Sequence, residues 1–221
     1  MADDNFIREV NEELRQDQAR LLWDRYGTYV IAAVAAIVLG TGAWVGWDYW
    51  ARSQANASGD RFSQALQLVK DGQADRAMEA LQALEDDGYG AYPVLARLRI
   101  ATLLAEQGRQ ADAVADFDAV AADRAVPEPI RDMARLRAAF ILVDTGSYDD
   151  VASRVEALTA DGNAMRHSAR EALGLAAWKA GNNDDALRLF EQIASDAAAP
   201  RNLQQRASVM AELIRSSGTG S

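Results

Sequence analysis

The side chains that could do chemistry in this sequence are few, and their spacing argues against a reaction. There is one histidine, His167, with Glu171 one helical turn later. A metal or general-base site needs more groups converging, and neither a second histidine nor an HExxH pattern exists. His167 is therefore expected to be a solvated residue at the start of a helix. Cysteine is absent, which removes disulfides, thiolate metal sites and cysteine nucleophiles. The acid pairs Asp86-Asp87, Asp149-Asp150 and Asp184-Asp185 fall where turns are expected. There they suit N-caps and positive helix ends rather than a catalytic cleft. Gly40-Thr41-Gly42 lies inside an apolar run with no strand before it, so it is no phosphate loop. The expectation is a protein without enzymatic activity, metal, cofactor or small-molecule substrate. A hydrolase with an unrecognised acidic site is the weakest alternative.

The elements that carry these residues are helical. Alanine is frequent, Leu, Glu, Gln and Arg are common, only four prolines interrupt the chain, and β-branched residues concentrate between Val30 and Val45. That composition favours helix and leaves little for a sheet. A net charge of −10 repels nucleic acid, so DNA and RNA are excluded as main partners.

From Tyr26 to Trp47 no residue is charged. As a helix this stretch would be about 33 Å long, the thickness of a bilayer core. Trp23, Tyr26 and Tyr29 stand at one end and Trp44, Trp47, Tyr49 and Trp50 at the other, as expected of rings at headgroup level. A transmembrane helix is expected over 26–50. The preceding segment is too long and too acidic, with seven acids against four arginines, to be the leader of a cleaved signal peptide. Arg8, Arg15, Arg20 and Arg25 precede the span, whereas Arg52 and Arg61 follow it. The bias places residues 1–25 in the cytoplasm and residues 51–215 in the periplasm of a bacterial inner membrane. Ala32, Ala36 and Gly40, spaced by four, and the pair Gly42 and Gly46 would let another helix approach closely. They are equally what an ordinary membrane helix contains. In residues 1–25, Phe6, Ile7, Val10, Leu14, Leu21 and Leu22 have helical spacing. They suit contact with the membrane surface, docking on a partner, or a partly frayed helix.

Beyond about Ala57 the chain repeats. Gly72, Gly108, Gly146 and Gly181 register it, at intervals of 36, 38 and 35, close to the period of about 34 of helix–turn–helix repeats. Seven residues before each glycine stand Ala65, Ala101, Ala139 and Gly174. Five after it stand Ala77, Ala113, Val151 and Ala186, nine after it Leu81, Phe117, Val155 and Phe190, and twelve after it Leu84, Val120, Leu158 and Ile193. Each glycine is expected to close a first helix in a left-handed cap. The small residues let the paired helices cross closely, and the large ones fill the space between pairs. Residues 203–214 read as a lone final helix, and 216–221 as a disordered tail. The pattern resembles the tetratricopeptide repeat, most clearly at Leu173-Gly174, Gly181, Ala186 and Phe190. It departs most in the third repeat, at Val151 and Val155. The fold class is all-α: an N-terminal membrane helix followed by a tetratricopeptide-like solenoid of about four hairpins and a capping helix.

Residues ten, six and three before each glycine should line the concave face of such a solenoid. The apolar ones among them are Phe62, Leu66, Val69, Leu98, Leu136, Phe140, Val143, Leu175 and Trp178. Either they form a groove for an apolar peptide or partner helix, or they pack against neighbouring helices.

The layout as a whole resembles the ancillary, YfgM-like subunit of the bacterial Sec translocon. Asn11-Glu12-Glu13-Leu14-Arg15 followed by Leu22-Trp23-Asp24-Arg25-Tyr26-Gly27 looks like that family's approach to its membrane helix. The resemblance implies a module in the bilayer that associates with SecYEG and a membrane-anchored periplasmic chaperone and assists exported proteins. An accessory or assembly subunit of another inner-membrane complex, respiratory or cell-division, is the alternative.

Overall fold

The computed structural model describes the backbone of residues 2–218 and the side chains of Trp23 and of residues 25–217. Among them helix alternates with turns and no strand occurs. The helices are α1 (Ala2–Lys70), α2 (Ala74–Asp87), α3 (Tyr92–Glu106), α4 (Gln110–Ala122), α5 (Glu128–Thr145), α6 (Tyr148–Val155), α7 (Arg166–Lys179), α8 (Asn183–Ser195) and α9 (Arg201–Gly218), with a 3₁₀ turn at Glu156–Thr159. The chain divides into two compact units, residues 1–56 and 57–221.

In the first unit, α1 is the one helix among the described residues that is long and apolar enough to cross a membrane, and its apolar window is wholly uncovered. The Trp23 ring lies over Gly27, Trp47 and Trp50 stack at 5.3 Å between centroids, and Asp48 pairs with Arg52 at 2.8 Å. The apolar stripe expected over residues 1–22 falls on side chains outside those described.

In the second unit helices pair in sequence. The end of α1 pairs with α2, then α3 with α4, α5 with α6 and α7 with α8, and α9 closes the row on α8. The registering residues explain why. Ala65, Ala101, Ala139, Ala77, Ala113, Ala186 and Val151 are completely buried, and Leu81, Phe117, Val155 and Phe190 are at most 2% exposed. Small side chains at the crossings bring the backbones together, and the large residue one turn on fills the gap. At Gly174 the fit is close: a methyl group there would lie 3.2 Å from Cζ of Phe190. Four core clusters follow one another along the unit, each built from neighbouring helices, as a one-dimensional repeat requires.

Three of the four glycine turns are superposable. Gly72, Gly108 and Gly181 have φ of 73°, 80° and 79°. The N–H of the residue after each (Gln73, Arg109 and Asn182) reaches the carbonyl five residues back, at 2.9, 2.8 and 2.9 Å. This is the Schellman closure, which needs a left-handed residue at the glycine. Gly146 departs from the expectation, with φ −108° and ψ −172°. Here α6 starts at once, through a capping box between Ser147 and Asp150, so no left-handed residue is needed. Glycine instead permits the close approach of Leu142, whose Cδ2 would stand 3.0 Å from an added Cβ. The prolines (Pro93, Pro127, Pro129 and Pro200) stand at the starts of α3, α5 and α9, where a missing N–H costs nothing.

Two expectations about ends are corrected. Asp86 and Asp87 are the last residues of α2 rather than turn residues at an N-terminus, and Asp87 pairs with Arg61 at 2.7 Å. Ser216 and Ser217, expected in a disordered tail, belong to the last turn of α9. Their hydroxyls donate to the carbonyls of Leu213 and Ile214 at 2.9 and 2.8 Å. Residues 219–221 lie outside those described.

Candidate protein-interaction surface

The side chain that opened the chemical reading is built into the scaffold. His167 is not solvated, as expected, but 6% exposed, because a loop residue 29 positions on folds over it. Its Nε2 donates to Oδ2 of Asp196 at 2.7 Å. Arg166 reaches the same oxygen at 3.2 Å, and the Ala198 N–H donates to Oδ1 at 2.8 Å. The His167 bond above all, then the Ala198 bond and Arg166, hold the Asp196 carboxyl down at about 2. An aspartate so occupied ties the α8–α9 loop to the start of α7. Glu171, one turn on, is not part of this cluster and receives Nε and Nη2 of Arg206 at 2.8 and 3.0 Å. A second knot secures the connection before α7: Arg170 donates to the Thr159 carbonyl at 3.1 Å and pairs with Asp161. Among the described residues no group of His, Asp and Glu could hold a metal ion.

The nine residues expected on the concave face are not brought together as one open patch. Leu98 is buried with Phe117 and Val114 in the second core cluster. Phe62 and Val69 pack on the first cluster, Leu136, Phe140 and Val143 on the third, and Leu175 on the fourth. Leu66 is half-buried, and Trp178 remains 39% exposed at the end of α7. Helical phase explains the result, because a pair's first helix must also cover its neighbour's.

The lone final helix expected over 203–214 is present as α9, but its outer side was not singled out from the spacing. Its inward stripe, Leu203, Ala207, Ala211 and Ile214, is buried against α8. Its other side carries Val209 at 67% and Leu213 at 44% exposure. With Trp178, these are the exposed large apolar residues of the second unit. A signal was available. The Glu171–Arg206 bond spans 35 positions, and the same step carries buried Gly174 to Val209. In every earlier pair that position is covered by the following helix, but α9 is followed by none among the described residues. Leu175, Val209 and Met210 line a shallow hollow of about 630 Å³ between α7 and α9, beside the Glu171–Arg206 pair.

Charge is also segregated. The second helix of each pair is acidic: α2 carries five acids against Arg76, and α4 has Asp112, Asp116 and Asp118 with no cation. In α8, Asp184, Asp185 and Glu191 face only Arg188. Asp116 has its carboxyl pushed up, by burial first and then by Glu85. α3, α7 and the closing helix α9 lean the other way, whereas α5 is balanced, with Arg131, Arg135 and Arg137 against Glu128, Asp132 and Asp144. α3 carries Arg97 and Arg99 against Glu106, α7 carries Arg166, Arg170 and Lys179 against Glu171, and α9 carries Arg201, Arg206 and Arg215 against Glu212. Two of the first-helix cations bridge successive first helices through uncharged acceptors. Arg137 donates to the Thr102 hydroxyl at 3.0 Å, and Lys179 donates to the Val143 and Asp144 carbonyls at 3.0 and 2.6 Å.

Residues 20–212 match the tetratricopeptide repeat-like domain. The chain belongs to that family. The match takes in the apolar part of α1 as well as the helix pairs. No curated protein matches the chain. Tetratricopeptide repeat-like domains are protein–protein interaction modules, and the finding includes no enzyme family. In the membrane-length part of α1, Ala32, Ala36, Gly40, Gly42 and Gly46 are all exposed, and a Cβ added to any of the three glycines would meet nothing within 4 Å. Ala32, Ala36 and Gly40 form one row. At 100° per residue Gly42 stands about 160° from Gly40, whereas Gly46, fourteen positions after Ala32, returns to within about 40° of it.

Proposed function

We propose that this chain is a non-enzymatic, membrane-tethered interaction module of the bacterial inner membrane, associated with the Sec translocon and recruiting or assisting a periplasmic chaperone for exported proteins. One observation carries the reading: the chain combines an uncovered membrane-length apolar helix with a repeat unit whose large apolar side chains are covered except at Trp178, Val209 and Leu213. An anchor supports confinement to the membrane plane, where tethering raises the effective concentration of partners. An uncovered apolar edge on an interaction fold supports protein capture. The arginine bias before the span supports a cytoplasmic N-terminus and a periplasmic repeat unit, and the resemblance in layout supports the translocon as the site of action.

The test is photocrosslinking in intact cells from probes at Ala36, Gly40 and Trp178. The expected adducts are a Sec channel subunit from the membrane positions and a periplasmic chaperone from Trp178. Adducts with a respiratory or cell-division complex would overturn the translocon assignment. Resistance of the repeat unit to protease added outside spheroplasts would overturn its orientation.

A further inference from the structure

We propose that the α7–α9 edge docks an acidic amphipathic helix of a partner protein. The inference rests on the reading of the chain as an interaction module and adds the chemistry of what is bound. The apolar half of the argument is geometric. α7 and α9 run in the same direction, with α8 returning between them, and the Glu171–Arg206 bond fixes their register at 35 positions. Four and seven residues further on, that register sets Leu175 level with Met210 and Trp178 level with Leu213. The two helices thus present apolar side chains in two rows separated by a hollow. A groove between parallel helices, with apolar side chains at i, i+3 and i+4 along its walls, suits the apolar stripe of a third helix. A close fifth hairpin is disfavoured. The residue at the crossing position is Val209, where the other pairs have Ala65, Ala101, Ala139 and Gly174, so the bound helix must lie farther out than a second helix of the repeat.

The charged half of the argument selects the sign of the partner. Of the six cations on α7 and α9, Arg166 pairs with Asp196, Arg170 with Asp161, Arg206 with Glu171 and Arg215 with Glu191 and Glu212, which leaves Lys179 and Arg201 without an acidic partner among the described residues, in a chain whose net charge is −10. Lys179 follows Trp178, and its ammonium donates to the Val143 and Asp144 carbonyls at the end of α5, neutral acceptors rather than a carboxylate. Arg201 opens α9 at the other end of the hollow and is exposed. A helix with Asp and Glu beside its apolar stripe meets these two cations favourably. A basic helix meets like charge, and like-charge juxtaposition discriminates strongly between partners. The acidic second helices of the same unit make a poor surface for such a helix, so charge also directs it to this edge.

The experiment uses the full-length protein in zwitterionic nanodiscs and two fluorescein-labelled 18-residue helical peptides. Both have the same Leu positions; one carries Glu and the other Lys elsewhere. Fluorescence anisotropy is read against empty nanodiscs at low and high salt. The expected result is binding of the Glu peptide at least about tenfold tighter than the Lys peptide, with the difference shrinking in high salt. Val209→Ser and Leu213→Ser should weaken the Glu peptide by a similar factor. Arg201→Glu, at an exposed position, should narrow the preference while leaving the melting curve unchanged. Equal or stronger binding of the Lys peptide overturns the proposal, as does Glu-peptide binding indifferent to Val209→Ser and Leu213→Ser. Dimers by mass photometry that vanish in Val209→Ser would overturn it in favour of a second copy. Photocrosslinking from Ala36 in the same variants separates the two readings. Retained Sec adducts with no peptide binding sink only the occupant proposed here, and lost adducts with peptide binding intact sink only the translocon assignment.

Discussion

The contact between Gly174 and Phe190 offers a test in which one substitution changes sign. Gly174 lies inside α7, and an added Cβ would stand 3.2 Å from Cζ and 3.3 Å from Cε2 of Phe190, a ring that is 1% exposed. In helix propensity alone, Gly174→Ala is worth about 0.5–1 kcal/mol in favour of the folded chain. Forcing a methyl into a packed ring costs about 1–3 kcal/mol. The steric cost wins here, because Phe190 is enclosed by α7, α8 and α9 and has nowhere to retreat. The single variant should therefore lose about 1 kcal/mol net, or roughly 2–4 °C in Tm for a unit of this size. Phe190→Leu alone removes packing and lowers stability by about 1–2 kcal/mol. In that background the ring edge is gone, so adding Gly174→Ala should now stabilise by about 0.5–1 kcal/mol. The coupling energy is the difference between the two effects, about 1.5 kcal/mol or more, within the range for residues in contact. Thermal melting of the full-length chain in detergent, followed by far-UV circular dichroism, reads the cycle. Hydrogen exchange should place the change in α7 and α8 and leave α2 and α3 untouched, since a repeat array transmits strain only to neighbours. Additive effects, or a Gly174→Ala change of the same sign in both backgrounds, would refute the packing argument.

Other consequences are simpler. Gly181→Ala should cost about 1–2 kcal/mol because the backbone there is left-handed. At Gly146 the backbone is extended, so Gly146→Ser should be penalised only through its close contacts with Leu142 and the Asp150 Cβ and relieved in part by Leu142→Ala; equal intrinsic costs at both sites by urea melting would contradict the cap assignments. Asp196 is held at about 2 against an ordinary 3.8. Its contribution to stability is thus complete above about pH 4 and is lost as pH falls from there toward 2. Tm measured between pH 5 and 2 should fall less steeply in Asp196→Asn than in the unchanged chain, and equal slopes would show that the His167–Asp196 bond is not formed. Ala36→Arg with Leu39→Asp places two charges at mid-span, each costing about 2.5–3.5 kcal/mol; the double variant should be released by alkaline carbonate, and retention would argue against a spanning helix.

The repeat was legible because its determinants are local. Ala101, Ala113, Phe117 and Val120 lie within one period, and their burial follows from contacts between consecutive helices. A reading of the spacing therefore recovers the hairpins, the crossing positions and three of the four glycine caps. The fourth failed because capping is a competition. Ser147 and Asp150 begin α6 immediately after Gly146, and an N-cap one residue away removes the need for a left-handed turn. His167 was misread for the opposite reason: its partner, Asp196, is 29 positions distant, and no periodic feature links a helix start to a loop beyond the next helix. The concave-face residues were chosen by phase alone. Phase identifies which side of a first helix faces away from its own partner, but not how far the next first helix closes over it, and Leu98 and Phe140 are covered by that closure.

The links between repeats show how the exposed edge is kept in register without contributing much to folding. Thr102 with Arg137, Val143 and Asp144 with Lys179, and Glu171 with Arg206 all join residues 35 or 36 positions apart. They form successive rungs across α3, α5, α7 and α9. On the second helices, Asp118 and Arg154 make the same step of 36, through two bonds at 3.0 and 2.6 Å. Each rung includes an exposed or half-exposed cation, and exposed ion pairs are worth only about 0–1 kcal/mol. The buried clusters already hold neighbouring pairs together, so the rungs act mainly on alignment. Arg206 is the clearest case. Its guanidinium is bidentate to Glu171 and 55% exposed, and it borders the hollow that Val209 and Leu175 line. Such a pair constrains how far α7 and α9 slide past one another, and that sliding would misalign Trp178 with Leu213. A rung that adds little to stability thus sets the geometry of the uncovered edge.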